Sequence, residues 1–164
     1  MQTAELAVLD WIQLHLRCGF LDTVLPWISR LCDHGEIWIV LAAVLLILRS
    51  QRRYGAAVSC ALVLDLVSCN LILKPLIGRL RPFAINPAVD LLVPPPLDAS
   101  FPSGHTAASF AAVFALKASG SPLWKPALVL AVVMAFSRLY LYVHWPSDLL
   151  GGAVLGAAVG WAGA

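Results

Sequence analysis

Five apolar stretches, at about 36–50, 54–74, 104–119, 123–143 and 147–164, succeed one another along this chain, and only one of the gaps between them is long. Roughly 15 to 21 apolar residues is about what a helix needs to cross a hydrocarbon core, where each backbone N–H and C=O must find its partner inside the protein. Repeated five times, the pattern predicts an all-α integral membrane bundle of about five transmembrane helices. With 60% of its residues hydrophobic and 12% charged, the chain lies outside the usual range of a water-soluble domain, and 164 residues allow one domain, 1–164. The first and third stretches are short for a full crossing, so they must borrow neighbouring residues or sit where the bundle thins the bilayer.

The bundle, 34–164, is preceded by a more polar third. In residues 3–17, Asp10, Gln13 and Arg17 recur at helical spacing while Leu6, Leu9, Ile12 and Leu16 lie on another side; 21–32 carries Asp22, Pro26 and Arg30. Both segments read as amphipathic helices lying along the membrane interface over 1–33. The first positive charge is Arg17, so the N-terminus lacks the basic region of a cleavable signal peptide. A formal net charge of +2, with no basic tail, excludes a nucleic-acid binder, and Cys18, Cys32, Cys60 and Cys69 show no metal-site spacing and read as buried or lipid-facing thiols.

The long gap, 75–103, is rich in prolines and charges that cannot continue a transmembrane helix. If the spans alternate, Arg49, Arg52, Arg53, Lys117 and Lys125 share a face that has no acid, which the positive-inside rule makes cytoplasmic. The opposite, extracytoplasmic face of a bacterial-type plasma (inner) membrane then receives "KPLIGRLRP" (74–82), "PSGH" (102–105) and "SRLYLYVHWPSD" (137–148). These three pieces can converge.

Their residue types suit a phosphate. Pro102 fits a helix first turn and Gly104 permits close backbone approach, so the N–H groups of Ser103, Gly104 and His105 would point outward at the positive end of a helix dipole. His105 beside such an anion could donate or accept a proton; an ordinary helix start with a surface histidine has the same local sequence. Lys74, Arg81 and Arg138 could neutralise a phosphoryl group or snorkel to headgroups, with Arg79 a weaker candidate. Asp148, four residues after His144, could fix the imidazole tautomer and leave Nε2 free to attack, or merely cap the last span.

Read together, K-x6-RP, PSGH and S-R-x5-H-x3-D resemble, position for position, the tripartite signature of the type 2 phosphatidic acid phosphatase superfamily, which also includes the vanadium haloperoxidases. The resemblance covers about residues 74–152. It implies that His144 attacks phosphorus to form a phosphohistidine, Asp148 orients it, and His105 protonates the leaving oxygen. Lys74, Arg81, Ser103, Gly104 and Arg138 would hold the phosphate. No metal or other cofactor is implied, and no carboxylate cluster suited to magnesium accompanies the cations.

The expected activity is lipid phosphate or diphosphate hydrolysis, with the substrate's headgroup in the outward pocket and its tail among membrane lipids. Undecaprenyl pyrophosphate leads, followed by phosphatidylglycerol phosphate and phosphatidic acid. A haloperoxidase is disfavoured by the apolar composition. Asp65, in the second span with Asn70 nearby, admits a transporter, but with no broken helix or inverted repeat in the sequence it reads better as an interhelical hydrogen-bonded contact. The small residues of "GGAVLGAAVGWAGA" permit close helix packing within one chain or between two, which leaves the oligomeric state open.

Overall fold

A computed structural model describes residues 2–164, and the described residues form helices and connecting loops with no strand. Two helices, α1 (Gln2–Leu16) and α2 (Gly19–Arg30), precede the bundle. Its members are α3 (Glu36–Ile47), α4 (Arg52–Asp65), α7 (Gly104–Ala118), α8 (Trp124–Tyr140) and α9 (Pro146–Ala162), with the short α5 (Lys74–Ile77) and α6 (Pro82–Ile85) between α4 and α7. These five occupy the positions of the expected spans. Within Arg49–Ile85 lies one helical run that is both long and apolar enough to cross a membrane, and it ends at Ile77. At 12 to 17 residues, the others are nearer 18–26 Å long, which fits the expectation that the bundle borrows flanking residues.

The backbone does not pass from α4 to α5 as a plain α-helix. Residues Leu66–Leu73 form a π-helical stretch, whose i→i+5 hydrogen bonds widen the turn. The helix thus continues through Pro75, further than the sequence suggests, and stops at Gly78, whose left-handed φ of 59° is the conformation that ends helices most readily at glycine.

α7 and α9 form the tightest pair. Gly152, Gly156 and Gly160 recur every four residues along the α9 face that meets α7. A Cβ at Gly152 would stand 2.7 Å from the Ser103 carbonyl oxygen, one at Gly160 would stand 2.6 Å from that of Ala111, and one at Gly156 would run into that of Ala107. Only hydrogen fits at this approach. The partner face supplies Ala107, Ala111 and Ala115, all fully buried, so the two backbones pack directly, as small residues allow within lipid. α3 joins α7 through the Trp38 indole N–H, which donates to Ser109 Oγ at 3.0 Å.

The amphipathic helix α1 turns both of its expected sides toward the bundle: Leu9 and Ile12 are buried, with Leu6 and Leu16 packed beside the same clusters. Its polar side faces inward: Gln13 donates to the Tyr140 carbonyl at 2.7 Å, and Asp10 accepts from the Tyr142 hydroxyl at 2.6 Å. Leu9 is buried beside Tyr142 and Trp145, while Val8, Trp11 and Leu14 are exposed. Polar groups of the α8–α9 corner need partners, and satisfying them outweighs exposing these apolar side chains, which costs nothing against lipid.

Candidate active site

Three helix ends meet at one end of the bundle. α5 carries Lys74, the strand-like segment after Gly78 carries Arg79 and Arg81, the first turn of α7 carries Gly104 and His105, and the α8–α9 corner carries Arg138, His144 and Asp148. Lys74, Arg81, Gly104, His105, Arg138 and His144 line a single cavity of about 1100 Å³. Ser103 and Asp148 lie fully buried behind it. All eight expected site residues are therefore gathered at one place, although Ser103 is occupied differently from the expectation.

His144 is enclosed between α8 and α9. Its Nδ1 lies 3.3 Å from Asp148 Oδ2, and its Nε2 lies 3.2 Å from Arg81 Nη1. Since a guanidinium can only donate, Nε2 carries the lone pair and Nδ1 the proton. Burial foremost, then the charges of Arg81 and Arg138, holds the ring well below the ordinary imidazole pKa, so His144 is neutral at physiological pH. A neutral ring with its lone pair turned to the cations has the chemistry to attack an electrophile held there.

Asp148 does both jobs that its spacing allows. Oδ2 accepts from the Trp145 backbone N–H at 2.9 Å, which caps α9, and also from Ser100 Oγ and His144. Oδ1 accepts from Arg79 at 2.6 Å. Arg79 in turn pairs with Glu5 of α1 at 2.7 Å and stacks over the Trp145 ring. Arg79 is thus a brace for Asp148, reached from the N-terminal helix, and not a member of the cage.

At the start of α7 the glycine works as expected: a Cβ on Gly104 would stand 3.4 Å from both Lys74 Nζ and Asn70 Oδ1, so the backbone lies against the cation. First-turn N–H groups of a helix have no intrahelical acceptor. The Ser103 N–H, however, is not free for an anion, because it donates to the Asp148 carbonyl at 3.1 Å, and the Ser103 hydroxyl accepts from Thr106 at 3.0 Å. The close α7–α9 approach puts that carbonyl within reach, and Ser103 ties the two catalytic helix starts together.

Three polar residues of the site went unnoticed in the sequence. Asp98 bonds Lys74 and lies 2.7 Å from Arg81 Nη2. Burial acts to raise its pKa, but hydrogen bonds and charges from Lys74 and Arg81 outweigh it and pull Asp98 down to about 2. Two cage cations are therefore holding a carboxylate where an anion belongs. Asp33 Oδ1 lies 3.2 Å from His105 Nε2; that hydrogen bond leads the lowering of the Asp33 pKa. Ser29 receives a hydrogen bond from Arg138, whose Nε is buried and has no partner among the described residues. Asp33 and Ser29 sit in the polar N-terminal third, outside the three motifs, and only their place ahead of α3 hinted at them.

The cavity runs on from the cations between α3 and α4, past Ile39, Ala42 and Leu62 to Leu46 and Ser59. It is a polar cage with an apolar groove attached. Asp65 faces this cavity, and the expected interhelical hydrogen bond is not made: its Oδ1 is enclosed with no partner among the described residues.

Residues 53–164 match the family model described as the PAP2 superfamily. The chain is 37% identical over 123 residues to an undecaprenyl-diphosphatase of Sulfolobus acidocaldarius, a match covering 74% of this chain and 59% of that protein. It is 36% identical over 159 residues to a decaprenylphosphoryl-5-phosphoribose phosphatase of Mycobacterium tuberculosis, covering 95% of this chain and 86% of the other. In three dimensions it is similar to a transmembrane PAP2-type phosphatidylglycerolphosphate phosphatase from Bacillus subtilis, with a TM-score of 0.78 at 26% identity over 99% of this chain and 83% of that one.

Proposed function

The chain belongs to the PAP2 superfamily, and from that premise we propose that it is a lipid phosphatase that uses no metal and works through a phosphohistidine at the extracytoplasmic surface of the plasma (inner) membrane. The observation that carries this reading is the His144 geometry: a neutral, carboxylate-oriented imidazole whose Nε2 meets Arg81 in a cavity that continues into an apolar groove.

The chemistry follows from the residues. A lipid phosphate or diphosphate enters with its tail in the α3–α4 groove and displaces Asp98 from Lys74 and Arg81. Lys74, Arg81, the free Nε of Arg138 and the first-turn N–H groups of α7 take the phosphoryl oxygens, supplying charge where it develops in the transition state. His144 Nε2 attacks phosphorus, the P–O bond to the leaving group breaks, and His105 gives that oxygen its proton. Asp33 steadies the His105 ring and Asp148 the imidazolium of His144. Water then attacks the phosphohistidine, losing its proton to His105 as the P–N bond breaks, and inorganic phosphate leaves. In this scheme the positive charge for the transition state comes from the Lys74, Arg81 and Arg138 side chains that line the cavity.

Orientation is supported by the opposite end of the bundle, where the α3–α4 turn and the α7–α8 turn carry Arg49, Arg52, Arg53, Lys117 and Lys125 without an acid. Within the substrate class, undecaprenyl pyrophosphate, phosphatidylglycerol phosphate and phosphatidic acid are the members to compare.

The test is phosphate release from that panel by the purified protein in detergent, with and without EDTA. Rapid acid-free quenching with labelled substrate should trap a base-stable phosphoprotein that His144→Ala does not form. Loss of activity in EDTA, or an unaltered phosphoprotein in His144→Ala, refutes the scheme. A cysteine placed at Asp90 should react with an impermeant maleimide from the extracytoplasmic side.

A further inference from the structure

The two histidines of the site are held by carboxylates in mirror fashion. His144 gives its Nδ1–H to Asp148 and keeps Nε2 for phosphorus, whereas His105 meets Asp33 Oδ1 through Nε2, at 3.2 Å. An ionised carboxylate can only accept, so in the neutral His105 ring the proton is on Nε2 and the lone pair on Nδ1. Nδ1 makes no hydrogen bond among the described residues and is not one of their enclosed unpaired atoms, so it is open to the cavity that His105 lines.

The turn that carries Asp33 is fastened to the helix that carries His105. Gly35, with a left-handed φ of 79°, closes that turn and starts α3. The Cys32 sulfur lies 4.0 Å from Ser109 Oγ, and the Trp38 indole N–H donates to the same oxygen at 3.0 Å. Ser109 Oγ in turn donates to the His105 carbonyl at 2.7 Å, one turn earlier on α7. A buried bridge thus sets carboxylate against ring. The hydrogen bond from His105 foremost holds the Asp33 carboxyl below its ordinary range, so it is ionised there.

Charge gives the pair its work. Lys74, Arg81 and Arg138 line the same cavity, so a ring that must carry a second proton there is surrounded by like charge. Asp98, now bonded to Lys74 and Arg81, gives way to the phosphate in the proposed reaction, whereas Asp33 touches the ring itself and stays. Resting on the phosphatase reading above, we propose that Asp33 is the positioning residue of the acid–base histidine: it keeps the Nε2–H and makes Nδ1 the atom that moves the proton. In the first step His144 Nε2 bonds phosphorus, the P–O bond breaks, and the proton on His105 Nδ1 goes to the leaving oxygen. In the second, a water oxygen bonds phosphorus, the P–N bond breaks, and a proton of that water goes to Nδ1.

Two substrates with the same alkyl chain separate proton delivery from general damage. One is an alkyl phosphate, whose alkoxide needs a proton to leave; the other is an alkyl-substituted nitrophenyl phosphate, whose phenolate does not. In Asp33→Asn, first-turnover release of the alcohol should slow by roughly 10²-fold, while first-turnover release of the nitrophenol should stay within about threefold of wild type. Because the second step still needs Nδ1 as a base, phosphoprotein should build up on the nitrophenyl substrate. In a His105→Ala background, Asp33→Asn should slow alcohol release by less than about threefold more, since the two residues act as a unit. Equal slowing on both substrates, or a full further loss in the His105→Ala background, marks Asp33 as structural and overturns the proposal. An alcohol rate in Asp33→Asn within about threefold of wild type overturns it too. Each of these outcomes leaves the phosphatase reading intact; that reading fails separately if the wild-type protein forms no phosphoprotein on either substrate.

Discussion

Two buried acids stand at the same cavity, Asp65 lining it and Asp148 behind it, and are treated in opposite ways. Asp148 is surrounded by donors, from Trp145, Ser100, Arg79 and His144, whereas Asp65 leaves an enclosed oxygen without any. The first arrangement is complete before a substrate arrives and holds the His144 ring still. The second leaves a polar atom unsatisfied in the resting protein.

His144→Ala should make the widest gap between the regions, lowering phosphate release by roughly 10⁴-fold or more while the protein still assembles in the membrane. Turnover within tenfold of wild type would mean that Asp148 orients nothing essential. His105→Ala should cost roughly 10²- to 10⁴-fold on a phosphomonoester and less on a diphosphate, whose leaving group needs the proton less; rates for the two substrates would show it. Gly156→Val attacks the preorganised side through its frame, and overpacking of about 1–3 kcal/mol or more should appear as a lower melting temperature in detergent together with lost activity. Asp98→Ala should act in the other direction. With the resident carboxylate gone from Lys74 and Arg81, inorganic phosphate should inhibit at a several-fold lower concentration, on the scale of one charged hydrogen-bonded contact; an unchanged inhibition constant would show that Asp98 does not compete.

The acid side of the pH profile gives the smallest and most specific effect. His144 must be neutral to attack, and its pKa in the folded protein is lowered by burial and by Arg81 and Arg138. Protonation of His144 then begins only below the ordinary imidazole range, near 6.5, so no fall in kcat/KM should set in as pH drops through that range. A limb centred at or above it would contradict the buried, arginine-flanked setting.

How much of this was readable beforehand depends on whether the information is local. His144 and Asp148 share one helical turn and a proline start, and the apolar runs mark their helices by length, so motif and bundle could both be read from spacing. Asp33 and Asp98 could not, because each meets its partner only after distant segments dock. Asp65 was misjudged for a different reason: a carboxylate in an apolar span implies a hydrogen-bonding partner on a neighbouring helix, and whether that helix offers one is not written in the local sequence. The inward turn of Asp10 and Gln13 on α1 was likewise hidden, since their partners, the Tyr142 hydroxyl and the Tyr140 carbonyl, come from the distant α8–α9 corner.

The three glycines of α9 set the distance between the helix starts beside His105 and His144 by close backbone approach. Such a joint has no rotamers to sample, so if the surrounding bilayer swells or thins, the two imidazoles must tilt as one body. Tails of many lengths can then come and go without retuning the reaction.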